Sequence, residues 1–285
     1  VSNGFLSGNS LNELLEIYMG ELVGDFVYKI FGNTFPLLIK LLDAKEDLSI
    51  QVHPDNVIAL EKHNCFGKTE FWYILDADEK SQLVSGFTPI VNKENYLQIL
   101  ENNQLSEVLN WINVKKGDVF FIPAGKVHAI GKGIVLLEIQ QASDITYRIY
   151  DYDRIDKQGE KRELHTDLAF QAIDFQSVHN NKIQFEKEKN IFNKIITCDF
   201  FSTNFISFDK VIERDFSSLD SFVVFTCISG ECDLIYGDKK ESLKLGETVL
   251  LPASLNYVHL HPKEETEIIE VFMDKNKKTN NEEIN

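Results

Sequence analysis

The stretch Gly117-Asp-Val-Phe-Phe-Ile-Pro123-Ala returns in the second half of the chain as Gly246-Glu-Thr-Val-Leu-Leu-Pro252-Ala. Each copy reads glycine, acid, four mostly apolar residues, proline, alanine. Glycine suits the tight turn ahead of a strand, and proline ends the strand where a loop begins, so the unit is a repeated hairpin arm in two related β modules. Around the second copy, short apolar runs at 200–208, 221–228, 232–236, 248–251 and 267–272 have strand length and regular spacing, which points to a sandwich or small barrel.

The first half is more mixed. Residues 10–24 place Leu11, Leu14, Leu15, Tyr18 and Leu22 at helical spacing behind Ser10, a candidate N-cap with Glu13 three residues on. Residues 35–53 read as two strands around a turn at 43–47, and 71–75 continues that sheet. Residues 93–113 carry helical periodicity through Tyr96, Leu100, Leu105, Val108, Leu109 and Ile112 and are expected as two short helices inserted between strands. The fold class expected is mainly β. A first domain over residues 1–175 holds the helical insertions, a second β domain covers 176–273, and the polar stretch 274–285 is expected to be a mobile tail.

Composition narrows the function classes. Forty-five acidic against 29 basic residues give a formal charge of −16, which repels a nucleic-acid backbone, so no DNA or RNA partner is expected and any anionic ligand must be held by local cations. No apolar stretch approaches the roughly 18 residues of a membrane span. The first residues lack a basic segment followed by an apolar run, so no export signal is expected and the chain is read as cytoplasmic. Cys65, Cys198, Cys227 and Cys232 form no C-x-x-C pair and are expected to be reduced thiols.

Chemistry gathers behind the first proline. Pro123-Ala-Gly125-Lys-Val-His128 completes a G-x5-P-x-G-x2-H pattern that resembles the second motif of the cupin superfamily, whose histidine binds metal inside a small barrel. That resemblance implies two cupin-type jelly-roll β-barrels. The second copy has Ser254 where the glycine would fall and no histidine at the ligand position, with His259 two residues late, and is expected to bind no metal. In Gln51-Val-His53 the two polar side chains sit at i and i+2, which share a face in a strand, and Glu70 beside Phe71-Trp72-Tyr73 could add a carboxylate from a neighbouring strand. Two imidazoles, a carboxylate, an amide oxygen and an open position suit Zn²⁺ or a related divalent ion. His63, His165, His179, His259 and His261 show no ligand pattern and are read as satisfied or solvent-facing.

Four blocks sharpen the resemblance. Phe35-Pro-Leu-Leu-Ile-Lys40, Leu48-Ser49-Ile-Gln51-Val-His53-Pro-Asp, Gly67-Lys68-Thr-Glu70-Phe-Trp-Tyr and the run from Leu137-Glu138 through Tyr-Arg148-Ile-Tyr-Asp-Tyr-Asp-Arg look like class I mannose-6-phosphate isomerase in its short form, in the family's order. The family's upstream Trp-Gly-Gly turn has no counterpart in this sequence. The resemblance implies interconversion of mannose 6-phosphate and fructose 6-phosphate through a cis-enediol. It implies one zinc ion at Gln51, His53, Glu70 and His128, Glu138 as base, and Arg148 and Lys68 as further catalytic groups. Lys40 and Ser49 would line the substrate pocket, holding the sugar phosphate, in a monomer or weak dimer. Three other readings compete: a cupin oxygenase, which would want an iron site open to O₂, a non-catalytic sugar-phosphate-binding cupin, and an isomerase of another sugar phosphate.

Overall fold

The computed structural model describes residues 1–155, 157–176 and 181–274; the expected tail from residue 275 on, and His179, lie outside the described residues. The chain begins with two helices. Ser10 caps α1 (Leu11–Val23) in a reciprocal capping box with Glu13, as its spacing predicts, and α2 (Asp25–Phe31) follows across Gly24. Among the described residues no helix is long and apolar enough to cross a membrane.

Two compact units divide the chain: Leu37–Ile183, and Val1–Pro36 together with the described residues from Gln184 on. This corrects the expectation that residues 1–36 open the first domain. Both helices belong to the second unit, where Phe222 donates to the Val23 carbonyl, Ala253 to Leu22 and Ser254 to Glu21. The Asp220 carboxylate accepts from the first amides of α2, and the Phe35 ring lies 4.6 Å from Phe222. These are long-range contacts that no local sequence pattern announces.

The unit Leu37–Ile183 is a sandwich of two antiparallel sheets. It is built from β1 (Leu37–Ala44), β2 (Ile50–Val52), α3 (Asn56–His63), β3 (Glu70–Ala77), β4 (Gln82–Phe87), α4 (Tyr96–Glu101), β5 (Leu109–Asn113), β6 (Val119–Ile122), β7 (His128–Ile130), β8 (Ile134–Gln141), β9 (Tyr147–Tyr150), α5 (Thr166–Ala172) and β10 (Lys182–Ile183). One sheet runs β1-β8-β3-β6-β10 and the other β5-β4-β7-β2-β9. The helix expected through residue 113 ends early: α4 and a 3₁₀ turn (Leu105–Glu107) are followed by strand β5, which pairs with β4. Alternation in Leu-Asn-Trp-Ile-Asn and the open edge of β4 outweigh the helical spacing.

Between the sheets, Trp72 and Ile74 from β3 and Ile134 and Leu136 from β8 pack on Leu83 and Ile130 of the facing sheet. The other face of that second sheet, through Ile50, Val52 and Tyr147, packs with Tyr96 of α4 and Ala169 of α5.

The second unit repeats the plan with β11 (Asn193–Thr197), β12 (Ser202–Phe208), β13 (Ile212–Asp215), β14 (Val223–Ser229), β15 (Glu231–Tyr236), β16 (Lys239–Lys244), β17 (Thr248–Leu251), β18 (Tyr257–Pro262) and β19 (Thr266–Phe272). Its sheets run β11-β12-β19-β14-β17 and β13-β18-β15-β16. Both units are thus cupin-like jelly rolls whose paired sheets stay separate, where closed barrels were expected.

The repeated motif explains the likeness strand by strand. Gly117 and Gly246 both take positive φ, 83° and 81°, and their amides reach the equivalent carbonyls of Ile74 and Cys227. Ile122, just before the first proline, pairs with Glu70, and Leu251 before the second pairs with Val223. Even the irregularity matches: β3 slips against β8 between Ile74 and Asp76, and β14 against β19 between Cys227 and Ser229. All four cysteines are free thiols.

Candidate metal centre

Register places the polar residues at one end of the first sandwich. Across β1, β8 and β3, Lys40, Glu138 and Trp72 are Cα partners in one row, with Gln140 and Glu70 two residues along in the next same-facing row. In the opposing sheet a single row holds Ser85, His128, Gln51 and Arg148. Gly125, at φ +83°, donates to the His53 carbonyl, and a Cβ there would sit 3.1 Å from the Ala172 carbonyl oxygen, so any side chain would strain the turn that delivers His128.

Ligand-type atoms of His53, Glu70 and His128 lie within 4.8 Å of one another, all buried. The Nδ1 atom of His53 is 2.9 Å from the Ile145 carbonyl, and that of His128 is 2.8 Å from the Lys126 carbonyl. A carbonyl only accepts, so both Nδ1 atoms carry the proton and both Nε2 atoms present a lone pair inward. Burial pushes the His128 imidazole down to about 3 and lowers His53 as well, leaving both rings neutral near pH 7. Burial works to raise the Glu70 carboxyl, but His53 first, then His128 and Lys68, hold it well below the usual carboxylate range. His53 Nε2 and Glu70 Oε1 stand 3.2 Å apart, both fully buried, yet neither has a hydrogen-bond partner. Two neutral imidazoles and one carboxylate turning lone pairs to a common point is a donor set that fits a divalent cation and leaves a net charge of +1.

Gln51 faces the same point, but with its amide nitrogen, 3.2 Å from His128 Nε2. Serving as a ligand requires a half-turn of the terminal amide to bring Oε1 inward. Lys68 is buried with Nζ 3.2 Å from Glu70 Oε1. The Glu138 carboxyl is raised by burial and by Glu70, against the pull of Lys40. Lys40, expected to line the sugar-phosphate pocket, binds Glu138 Oε1 at 2.9 Å and Gln140 Oε1 at 2.5 Å. Ser49 is buried just ahead of β2.

Arg148 is fixed by its backbone to His165, whose Nδ1 accepts the Arg148 amide, and by its Nη1 to the Glu163 carbonyl at 3.0 Å. The loop that supplies these partners is clamped by Asp151, which pairs with both Arg154 and Arg162. Of the remaining histidines, His63 meets the Tyr147 hydroxyl at 2.7 Å, and His259 and His261 are half-buried on β18.

Two residues at this end escaped the sequence reading. Gln140, fully buried, accepts from Lys40 and donates to the Gln141 and Ser143 carbonyls. Trp72 donates its indole N–H to Glu70 and Glu138 alike. Both lie at i+2 from a residue already singled out, so the parity rule that joined Gln51 to His53 would have found them.

A cleft of about 920 Å³ opens at the other end of the sandwich. Asp43, Asp47, Asp76, Asp78 and Glu79 line it against Lys45, Lys80 and Lys132, a balance unsuited to an anionic sugar phosphate.

Two family models match the chain. Residues 2–99 match the family model for phosphomannose isomerase type I, catalytic domain, and residues 190–273 match mannose-6-phosphate isomerase, cupin domain. The chain is 37% identical over 258 residues to mannose-6-phosphate isomerase ManA of Bacillus subtilis, covering 90% of this chain and 79% of that protein. It is 34% identical over 260 residues to the Streptococcus mutans mannose-6-phosphate isomerase, covering 90% and 78%. The crystal structure of the Bacillus subtilis mannose 6-phosphate isomerase superposes with a TM-score of 0.84 at 35% identity, over 95% of this chain and 84% of that one. A phosphomannose isomerase from Salmonella typhimurium shares the fold, with a TM-score of 0.75 at 17% identity over 93% and 86%.

Proposed function

This chain belongs to the mannose-6-phosphate isomerase family, type I, and from that premise we propose that it interconverts mannose 6-phosphate and fructose 6-phosphate with a divalent ion, zinc by its donor set, held by His53, Glu70, His128 and a turned Gln51. The observation that carries this reading is that His53 Nε2 and Glu70 Oε1, both buried and neither making a hydrogen bond, converge with His128 Nε2, with the Lys68 ammonium as the ion-pair partner of Glu70. When bound, the ion supplies positive charge to a substrate oxygen as negative charge develops there.

The rest is work for side chains. Aldose–ketose isomerisation moves a proton between C2 and C1 of the sugar through a cis-enediol. Glu138 is the carboxylate placed to take and return it: burial raises its pKa toward the working range of a general base, and Lys40 on Oε1 fixes its orientation. Lys68 holds an ammonium 3.2 Å from Glu70 Oε1 and is suited to steady the oxygens that exchange their proton. Arg148, in the row of Gln51 and His128, turns a half-buried guanidinium with an unpartnered Nε toward that end of the sandwich, a planar fork suited to the enediolate or the phosphate. Ser49 adds a hydroxyl beside β2; Lys40, engaged with Glu138, serves the base rather than the phosphate.

The test is an assay of fructose 6-phosphate formation on protein as purified, after chelation, and after zinc is restored. Turnover lost on chelation and regained with zinc is the expected result. Absence of turnover in a folded, zinc-loaded protein would overturn the reading.

A further inference from the structure

We propose that Trp72 is a positioning residue that sets the relative placement of the metal-binding carboxylate and the proton-transferring carboxylate through one shared indole N–H. The proposal deepens the isomerase reading and rests on it for the roles of Glu70 and Glu138.

The indole Nε1 lies 3.1 Å from Glu70 Oε2 and 3.1 Å from Glu138 Oε2, and the ring is fully buried. Indole has a single N–H and no acceptor, so one donor serves two like-charged groups. Each carboxylate has a lysine on its other oxygen: Lys68 lies 3.2 Å from Glu70 Oε1, and Lys40 lies 2.9 Å from Glu138 Oε1. Donors and carboxylates therefore alternate from the residues just ahead of β3 across β3, β8 and β1 in the order Lys68, Glu70, Trp72, Glu138, Lys40. With Oε2 tied to the indole, Glu70 turns Oε1 toward His53 Nε2, the orientation that completes the ligand set. Without the N–H, two buried carboxylates share no donor, and mutual repulsion swings each toward its own lysine.

The second sandwich supplies an internal control. By register, Val223 stands where Glu70 does and Phe225 where Trp72 does, while Glu270 keeps the place of Glu138. There the second carboxylate and the N–H are absent together, although an aromatic ring is still needed for packing, and Glu270 is served by Arg214 and Asn204 instead. The N–H goes with the pair of carboxylates, not with the ring.

The chain has two tryptophans, Trp72 and Trp111, so a Trp111→Phe parent leaves Trp72 as the one site for biosynthetic replacement by 3-benzothienylalanine, which puts sulfur in place of N–H on the same fused ring. Trp72→Phe is the second variant. Zinc affinity is measured by competition with a chromogenic chelator, and kcat and KM with mannose 6-phosphate. Relative to the parent, both variants are expected to bind zinc about 10–100-fold more weakly and to lose kcat to a similar degree, with KM changed less than about threefold. A benzothienyl protein with the parent's zinc affinity and kcat overturns the proposal, whether or not Trp72→Phe is impaired, since ring packing would then be the whole effect. A parent that binds zinc and does not isomerise overturns the isomerase reading, while the zinc comparison still decides the role of Trp72. A parent that binds no zinc overturns both.

Discussion

The first and second sandwiches share one register down to the slip after Ile74 and after Cys227, and they differ in a handful of inward positions at one end. Glu70 becomes Val223, Trp72 becomes Phe225, Lys40 becomes Asn204, and the place of His128 falls to half-exposed Tyr257. The carboxylate of Glu138 alone persists, as Glu270. In the first sandwich that carboxylate is held by a lysine and an indole shared with a metal-type ligand. In the second it is closed off by a two-pronged pair with Arg214, Nε to Oε1 at 2.8 Å and Nη2 to Oε2 at 2.9 Å, with the guanidinium 4.4 Å from the centre of the Phe192 ring. A fold of this kind carries its chemistry in few side chains, and a buried charge that outlives the chemistry needs a new counter-charge.

That contrast can be broken most directly by equivalent substitutions. Glu138→Gln is expected to cut kcat by about 10²–10⁴-fold with zinc content unchanged, whereas Glu270→Gln leaves kcat within about twofold of wild type. Steady-state kinetics with metal analysis reads both; equal losses would mean that the two carboxylates are not divided as described. A smaller effect tests what the arginine does. Arg214→Met leaves Glu270 buried with Asn204 as its partner, and is expected to cost about 3 kcal/mol of stability in denaturant unfolding while turnover persists.

Smaller still is the helix cap on the second unit: Ser10→Ala removes one half of the capping box, at an expected cost of about 1 kcal/mol by the same unfolding measurement.

The weakest expected effect is on acid stability. Each unit has a carboxylate between two cations, Asp151 with Arg154 and Arg162, and Asp233 with Lys240 and Lys263. Burial works to raise the Asp151 carboxyl but its two arginines lower it, and hydrogen bonds from Lys240 and Ser242 bring Asp233 down to about 2. A carboxyl lowered in the folded state stabilises above its unfolded value near 4, and that contribution is lost as pH falls through the folded value. Asp233→Asn should therefore flatten the fall in melting temperature between pH 4 and 2, by an amount under about 1 kcal/mol because its lysines are exposed. Asp151→Asn should do the same and also raise KM, because it frees the loop whose Glu163 carbonyl holds Arg148. An unchanged KM would separate that clamp from the site.

Much of this was legible in the residues. The repeated motif located β6 and β17, the parity of Gln51 and His53 placed both toward the site, and Glu70 fell beside them. Other features left no local trace. The homes of α1 and α2 depend on amides of Phe222 and Ala253, some two hundred residues downstream, and Arg214 meets Glu270 from another sheet. Leu105, Val108, Leu109 and Ile112 do have helical spacing, and pairing with the edge of β4 draws Leu109 and Ile112 into a strand. Lys40 was assigned to phosphate because its partner across the ladder, Glu138, cannot be read without the register.

The polar end and the dry interior of the first sandwich share the same strands, and this has a consequence for motion. Amides beside Ile74, Leu83, Ile130 and Leu136 sit in the dry cluster and should exchange with deuterium through whole-unit unfolding alone. Those beside Lys40 and Gln51, whose side chains are half-buried, are expected to open in smaller and more frequent steps. Strands at the polar end would then breathe locally while their dry halves stay locked.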